Sequence, residues 1–244
     1  MPEQLWFTHV LNAILATPVD GLYHLLKVPV ANPAAPITNF FAMEVLAALI
    51  LAIFATWVRG RLSVDKPKAA QHAVELSWNA IAEHGEEVIG HGGGQTFLPY
   101  LFSLFFFILL GNLMGLIPSL TSPTADIEVT LGLALATFIY YHAVGLRTLG
   151  PAQYAKTFVG PMIVMAPLMV PLEIISHFAR ILSLSVRLFA NMFAGEMITT
   201  IFLALLPVAG IIFMGLHVFI ALLQAYIFMV LAMVYLSGAI AEEH

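Results

Sequence analysis

The sequence predicts an all-α integral membrane protein: about five membrane-crossing helices plus an amphipathic surface helix, the last two crossings forming a long, strongly tilted helical hairpin. Three observations predict it. Hydrophobic residues make up 61% of the chain, charged residues 9%, and the mean hydropathy is +0.95. A soluble domain carries about 25% charged residues, so this chain cannot cover itself with a polar surface. Apolar runs long enough to cross a bilayer, about 20 residues each, recur along it. The loops between these runs alternate between basic and acidic, as a fixed orientation in a membrane requires.

Residues 1–38 read as an outer N-terminal segment. Within it LWFTHVLNAILA is too short to span, and VPVANPAAPITN is a Pro-rich loop. No lysine or arginine precedes this first apolar run, so a cleaved secretory leader is not expected. FFAMEVLAALILAIFATWV (40–58) is the first span and carries one acid, Glu44. The basic loop RGRLSVDKPK (59–68) follows. Over 69–91, Val74, Trp78, Ile81 and Val88 recur at helical spacing with Glu75, Asn79, Glu83 and Glu86 between them. That pattern predicts an amphipathic helix lying along the membrane surface. GHGGG (90–94) breaks it and reads as a flexible surface linker rather than a metal site, although His84 and His91 lie close by.

QTFLPYLFSLFFFILLGNLMGLIP (95–118) is the second span, and its exit loop, SLTSPTADIEVT, is acidic. A third span covers about 129–146, and the basic RTLGPAQYAK (147–156) follows. Residues 39–156 thus form one unit, and 157–244 form another, the hairpin. Its two apolar stretches meet at LPVAG (206–210), and a polar AEEH tail ends the chain. With the basic loops placed in the cytoplasm, five crossings satisfy every loop. The N-terminus then lies outside and the C-terminus inside, in a multi-pass arrangement.

Several function classes drop out. Cysteine is absent, which removes disulfide, thiolate and Cys-metal chemistry. Neither G-x-x-x-x-G-K-[ST] nor G-x-G-x-x-G occurs, so no nucleotide is expected to bind this chain directly. The net charge of -5 gives no reason to expect nucleic acid. No cofactor and no metal are expected.

The fourth stretch is too long for a simple anchor. From Leu172 to Leu206, about 35 residues make roughly 50 Å of helix against a hydrocarbon core of about 30 Å. At about 100° per residue, Glu173, Ser176, Arg180, Ser183 and Asn191 all fall within ~40° of Arg187. One face therefore carries a file of polar side chains through the bilayer, while Glu196 lies opposite. Polar groups at that depth are costly and face water or protein, so the file reads as an ion path. Arg187 is always charged, and no acid lies three or four residues away. Its counterion must come from Glu44, Glu128 or, most simply, another chain. A bend near Val208 sets Glu196 and His217 at similar depth on the outer side, with Arg187 and Gln224 nearer mid-membrane. A Glu–His pair is suited to exchanging protons near neutral pH.

Two other classes compete. One is a small-solute or ion transporter with an intramembrane polar site; such folds often carry repeats and broken helices, neither of which is evident. The other is a membrane haem protein using His142, His177 and His217, which look scattered in depth.

The stretches LEIISHFARILSLSVRLFANMFAGE (172–196), LLQAYIFMVLAMVYLSGAIAEEH (222–244) and PTADIEVTLGLALATF (123–138) resemble the a subunit of F-type rotary ATP synthases, the membrane stator beside the c-subunit ring. The resemblance implies that Arg187 is the essential interface cation facing a c-subunit carboxylate. It implies that Asn191, Glu196, His217 and Gln224 line an outer proton half-channel. Glu173, Ser176 and Ser183 would line the cytoplasmic one. Arg180 stands where relatives commonly have lysine, and Val186 and Ala190 where they often have small residues. Expected partners are the c-ring, the b subunits of the peripheral stalk and membrane lipid, most simply in a bacterial inner membrane. The chain itself would catalyse no covalent step, and H+ is the expected ion.

Overall fold

The computed structural model describes residues 5–26, 35–64, 67–90, 92–117, 120–154 and 166–241. Much of the Pro-rich loop, Lys66 of the first basic loop, His91, the 155–165 segment and the end of the AEEH tail lie outside these described residues. The helices are α1 (Trp6–Leu26), α2 (Asn39–Arg59), α3 (Ala69–Ile89), α4 (Gly93–Met114), α5 (Ile127–Leu149), α6 (Ala166–Leu205) and α7 (Pro207–Ile240), with a 3-10 turn at Pro123–Ala125. Five of them, α2, α4, α5, α6 and α7, are long and apolar enough to cross a membrane. The fold is an all-α integral membrane protein.

The sequence explains the helix ends. Thr38 caps α2, its hydroxyl accepting from the Phe41 N–H, and Asp126 caps α5 by accepting from the Glu128 N–H. Both caps satisfy amide donors that the first turn leaves orphaned. α6 and α7 are separated by a single residue, Leu206. The hairpin closes tightly because Gly210 packs on Leu203: a β-carbon there would stand 2.6 Å from the Leu203 Cα.

α7 is the hub, packed against α3, α4, α5 and α6. Phe228, Leu101, Ile108, Leu188, Met192, Met233 and Leu236 fill the main core between these helices. A smaller core joins α1, α2 and the end of α4 around Met43 and Met114. The two ends of the bundle differ in charge. Glu44, Asp126 and Glu128 line one cleft at the end where α2 and α5 begin. Arg59, Arg61, Lys68 and Arg147 lie toward the other.

Three expectations need correction. The N-terminal apolar run is part of a 21-residue helix, α1, which continues through Pro18. Asn12 fastens it to the start of α2, donating to the Ile37 carbonyl at 3.1 Å and accepting from the Ile37 N–H at 3.0 Å. α3 does not offer its whole apolar face to a membrane surface. Ile81, Ala82, Gly85 and Ile89 are buried, and Trp78 packs on Phe102 of α4, so its second half pairs with α4. The glycines Gly90, Gly92 and Gly94 mark a tight corner rather than a loose linker. Gly90 and Gly92 adopt positive φ of 101° and 82°, which only glycine does readily. Gly94 sits directly against the backbone of Ala82 and Glu86. α6 is described from Ala166 to Leu205, so Pro171 lies inside a 40-residue helix. At ~1.5 Å per residue this reaches about 60 Å, twice the hydrocarbon core, and it has to tilt or protrude.

Candidate functional site

α6 sorts its side chains by face. Leu184, Ser185, Leu188 and Met192 are buried against the bundle, whereas Leu182, Val186, Ala190 and Phe193 are exposed. Arg187 is half-buried at the border between the two faces. Its guanidinium donates to the Ser183 hydroxyl at 3.1 Å, one turn back. Among the described residues no carboxylate lies within ion-pair distance of it. Glu44 and Glu128, the acids in this chain weighed as its counterion, line the cleft at the far acidic end instead. A permanent cation at the edge of a largely apolar, open face is costly unless an anion or water meets it there.

One turn beyond, the Asn191 amide donates to the Gln224 side-chain oxygen at 2.8 Å, tying α6 to α7. Gln224 is buried and Asn191 exposed. Gln224, expected near the level of Arg187, thus meets α6 one turn farther on. Glu196 and His217 do come to a similar level: a β-carbon on Gly195 would stand 2.7 Å from the His217 Nδ1. No hydrogen bond joins the two side chains, however. Glu196 accepts from the Ser122 N–H at 3.0 Å, while both ring nitrogens of buried His217 lack a partner among the described residues. A buried polar group left so costs ~1–3 kcal/mol, and water is its natural partner in a polar site.

The sequence did not single out what holds Glu196. Thr124 donates to Asn112 at 2.6 Å, Asn112 donates to the Ala221 carbonyl at 3.0 Å, and Ser122 and Thr124 share a 2.7 Å bond. All three side chains are fully buried. Asn112 thus pins the 122–124 loop to α7, and the loop presents its N–H to Glu196. The Glu196 carboxylate lies directly on Gly115, where any side chain would collide with it. GNLMG and PTAD are visible in the sequence, but nothing in their spacing says that they meet.

Toward the basic end the polar file continues. Glu173 approaches Arg180 at 3.7 Å and the His177 Nε2 at 3.5 Å. Arg180 also stacks over Tyr235 of α7. So Arg180 has an internal anion, whereas Arg187 has none among the described residues. Ser176 is half-buried on the same helix. His142 and His177, expected to be scattered, are in fact neighbours with ring centroids 4.7 Å apart. Their edge-to-face contact leaves no space for a porphyrin between them, and His217 is elsewhere. Among the described residues no group of three His, Asp or Glu is placed to hold a metal.

Comparison with known proteins follows the same lines. The family model described as ATP synthase A chain matches residues 41–237. The chain is similar to ATP synthase subunit a of Koribacter versatilis, at 49% identity over the full length of both chains. It is 46% identical to that of Solibacter usitatus, over 89% of this chain and 93% of the relative. For Helicobacter hepaticus the figures are 39% identity, 82% and 89%. The chain belongs to the ATP synthase A chain family.

Proposed function

We propose that this chain is the stator subunit of a rotary F-type ATP synthase and carries two offset proton half-channels that meet a c-subunit ring at Arg187. The single observation that carries this reading is Arg187 itself: a half-buried cation at the edge of an exposed face, with no acid within ion-pair distance among the described residues. A c-subunit carboxylate would supply the missing anion from another chain.

Proton flow and torque then follow from charge. A proton enters from the acidic end past Glu196 and His217, then past Asn191 and Gln224, and neutralises a ring carboxylate. The neutral carboxyl can turn into lipid at tolerable cost, which its ionised form cannot. After nearly a full turn it reaches the file of Ser183, Ser176 and Glu173, which leads to the basic end, and releases its proton. Arg187 favours the ionised carboxylate between the two paths and repels a proton crossing directly. The chain performs no covalent chemistry; the nucleotide chemistry belongs to other subunits. The b subunits of the peripheral stalk would hold it against the ring's torque. Its setting would be a bacterial inner membrane, with the acidic end outside.

The absence of cysteine makes a direct test simple. Single cysteines at Val186 and Ala190 on the open face should form disulfides with cysteines beside the c-ring carboxylate under mild oxidation. A cysteine at buried Leu188 should not. Cross-linking confined to Leu188, or to none of the three, would overturn the placement of the ring.

A further inference from the structure

The function just proposed leaves a cluster of titratable side chains at the basic end without a role. His177 lies one turn from Glu173 on α6, and its ring is far more shielded than the acid: the side chains are 12% and 37% exposed. Its Nε2 faces the Glu173 carboxylate at 3.5 Å, and its Nδ1 lies 3.0 Å from the Tyr141 hydroxyl of α5. His142, one residue on, packs against His177. The His142 Nδ1 is 3.1 Å from the hydroxyl of Tyr154, in the helical segment that follows α5. Burial holds the Tyr154 phenol above its ordinary range, with Arg180 pulling it down and Glu173 adding to the rise. Tyr154 therefore stays a hydroxyl at neutral pH, able to donate and accept. Among the described residues, the titratable groups around His177 are Glu173 and Arg180 on its own helix, Tyr141 and His142 on α5, and Tyr154 beyond it, with Tyr235 of α7 under Arg180.

A structural cluster would need only bulk and hydrogen bonds. This one has a direction. It starts at a partly exposed acid on the polar file of α6, passes through a shielded imidazole, crosses to α5 and ends at Tyr154, in the helical segment after α5. A histidine between a carboxyl and a hydroxyl has a partner on each nitrogen, which suits it to hold a proton in passing.

We propose that His177, with His142 beside it, is a proton-transfer station that carries protons from Glu173 sideways to the helical 151–154 segment at the basic end. This rests on the stator reading above. The O–H bond of a protonated Glu173 breaks as an N–H bond forms at the His177 Nε2, giving a carboxylate and an imidazolium. The imidazolium then passes its proton to water at the basic end and returns to neutral imidazole. His142 and Tyr154 form the wall along which that water and proton leave.

The test uses inverted membrane vesicles carrying the complete complex, with the subunit's abundance checked by immunoblot. His177→Gln keeps a side chain that can hydrogen bond to Tyr141 but holds no proton. ATP-driven proton pumping should fall on the order of tenfold or more, as loss of a positioned proton carrier does, and its pH profile should flatten. His177→Glu, which restores a proton-binding group, should recover part of the rate with an altered pH profile. His142→Gln should give a smaller fall in the same direction. If His177→Gln pumps normally with an unchanged pH profile, the relay is wrong. It is equally wrong if glutamine loses the subunit from the membrane and glutamate pumps no better than glutamine. Glu173→Gln and Arg187→Ala separate the two proposals. If both abolish pumping while His177→Gln does not, only the relay fails; if Arg187→Ala pumps normally, the stator site itself fails.

Discussion

Replacing Gly115 by alanine tests how the Glu196 carboxylate is held. Gly115 has φ -64° and ψ -13°, a conformation any residue adopts, so backbone strain gives no reason for glycine here. The reason is space: a β-carbon at Gly115 would overlap the Glu196 Oε1 and stand 3.0 Å from the Ser122 Cβ. The carboxylate must therefore leave the Ser122 N–H it now accepts from at 3.0 Å. A hydrogen bond to a charged group contributes about 1.5–3 kcal/mol, and the gain in chain entropy from Gly to Ala offsets ~0.4–1 kcal/mol of that. The balance, roughly 1–2 kcal/mol, lowers the population of the competent carboxylate about 5- to 30-fold. The assay is ATP-driven proton pumping at matched subunit levels. Gly132→Ala on α5 is the control, since a β-carbon there meets nothing within 4 Å. Glu196→Asp, one methylene shorter, should recover part of the loss when combined with Gly115→Ala, and the double-mutant cycle would measure that coupling. Pumping by Gly115→Ala equal to Gly132→Ala would refute the claim that this glycine positions Glu196.

Two further outcomes concern stability and the corners of the fold. Gly94→Val should cost more than 3 kcal/mol and deplete the subunit from membranes, because its β-carbon would run into the backbone of Ala82 and Glu86, which cannot swing aside as a side chain would; steady-state abundance by immunoblot checks this. Asn12→Ala removes both hydrogen bonds to Ile37, about 1–3 kcal/mol in all. It should free α1 to limited proteolysis from the acidic side while leaving the α6–α7 hairpin protected.

How much of this the sequence revealed depends on how local each signal is. The five crossings were legible because each is a continuous apolar run, and the hairpin's excess length follows from counting residues. The polar file around Arg187 was legible because helical periodicity fixes which side chains share a face. Matched depth of Glu196 and His217 was legible because one short turn ties α6 to α7, and Gly195 does pack against the His217 ring. Other features depend on which helices are neighbours, and a single sequence carries no such signal. His142 and His177 each lie a few turns from the basic end, yet they looked scattered until α5 and α6 were seen side by side. Asn112 is 109 residues from the carbonyl it binds. The α3–α4 corner was misread because Gly85 and Gly94 matter through backbone contact, which hydrophobic periodicity does not register. α1 was cut short because its second half is more polar and contains Pro18, although the structure accommodates that proline inside the helix.

The central claim is that Arg187 is the cation at which two separate proton paths meet a partner's carboxylate. Membranes carrying Arg187→Ala, with this subunit and the c subunit both shown to be present, test it most directly. The account predicts that ATP-driven proton pumping vanishes while assembly survives. Pumping near the normal rate would contradict it and make Arg187 a structural charge.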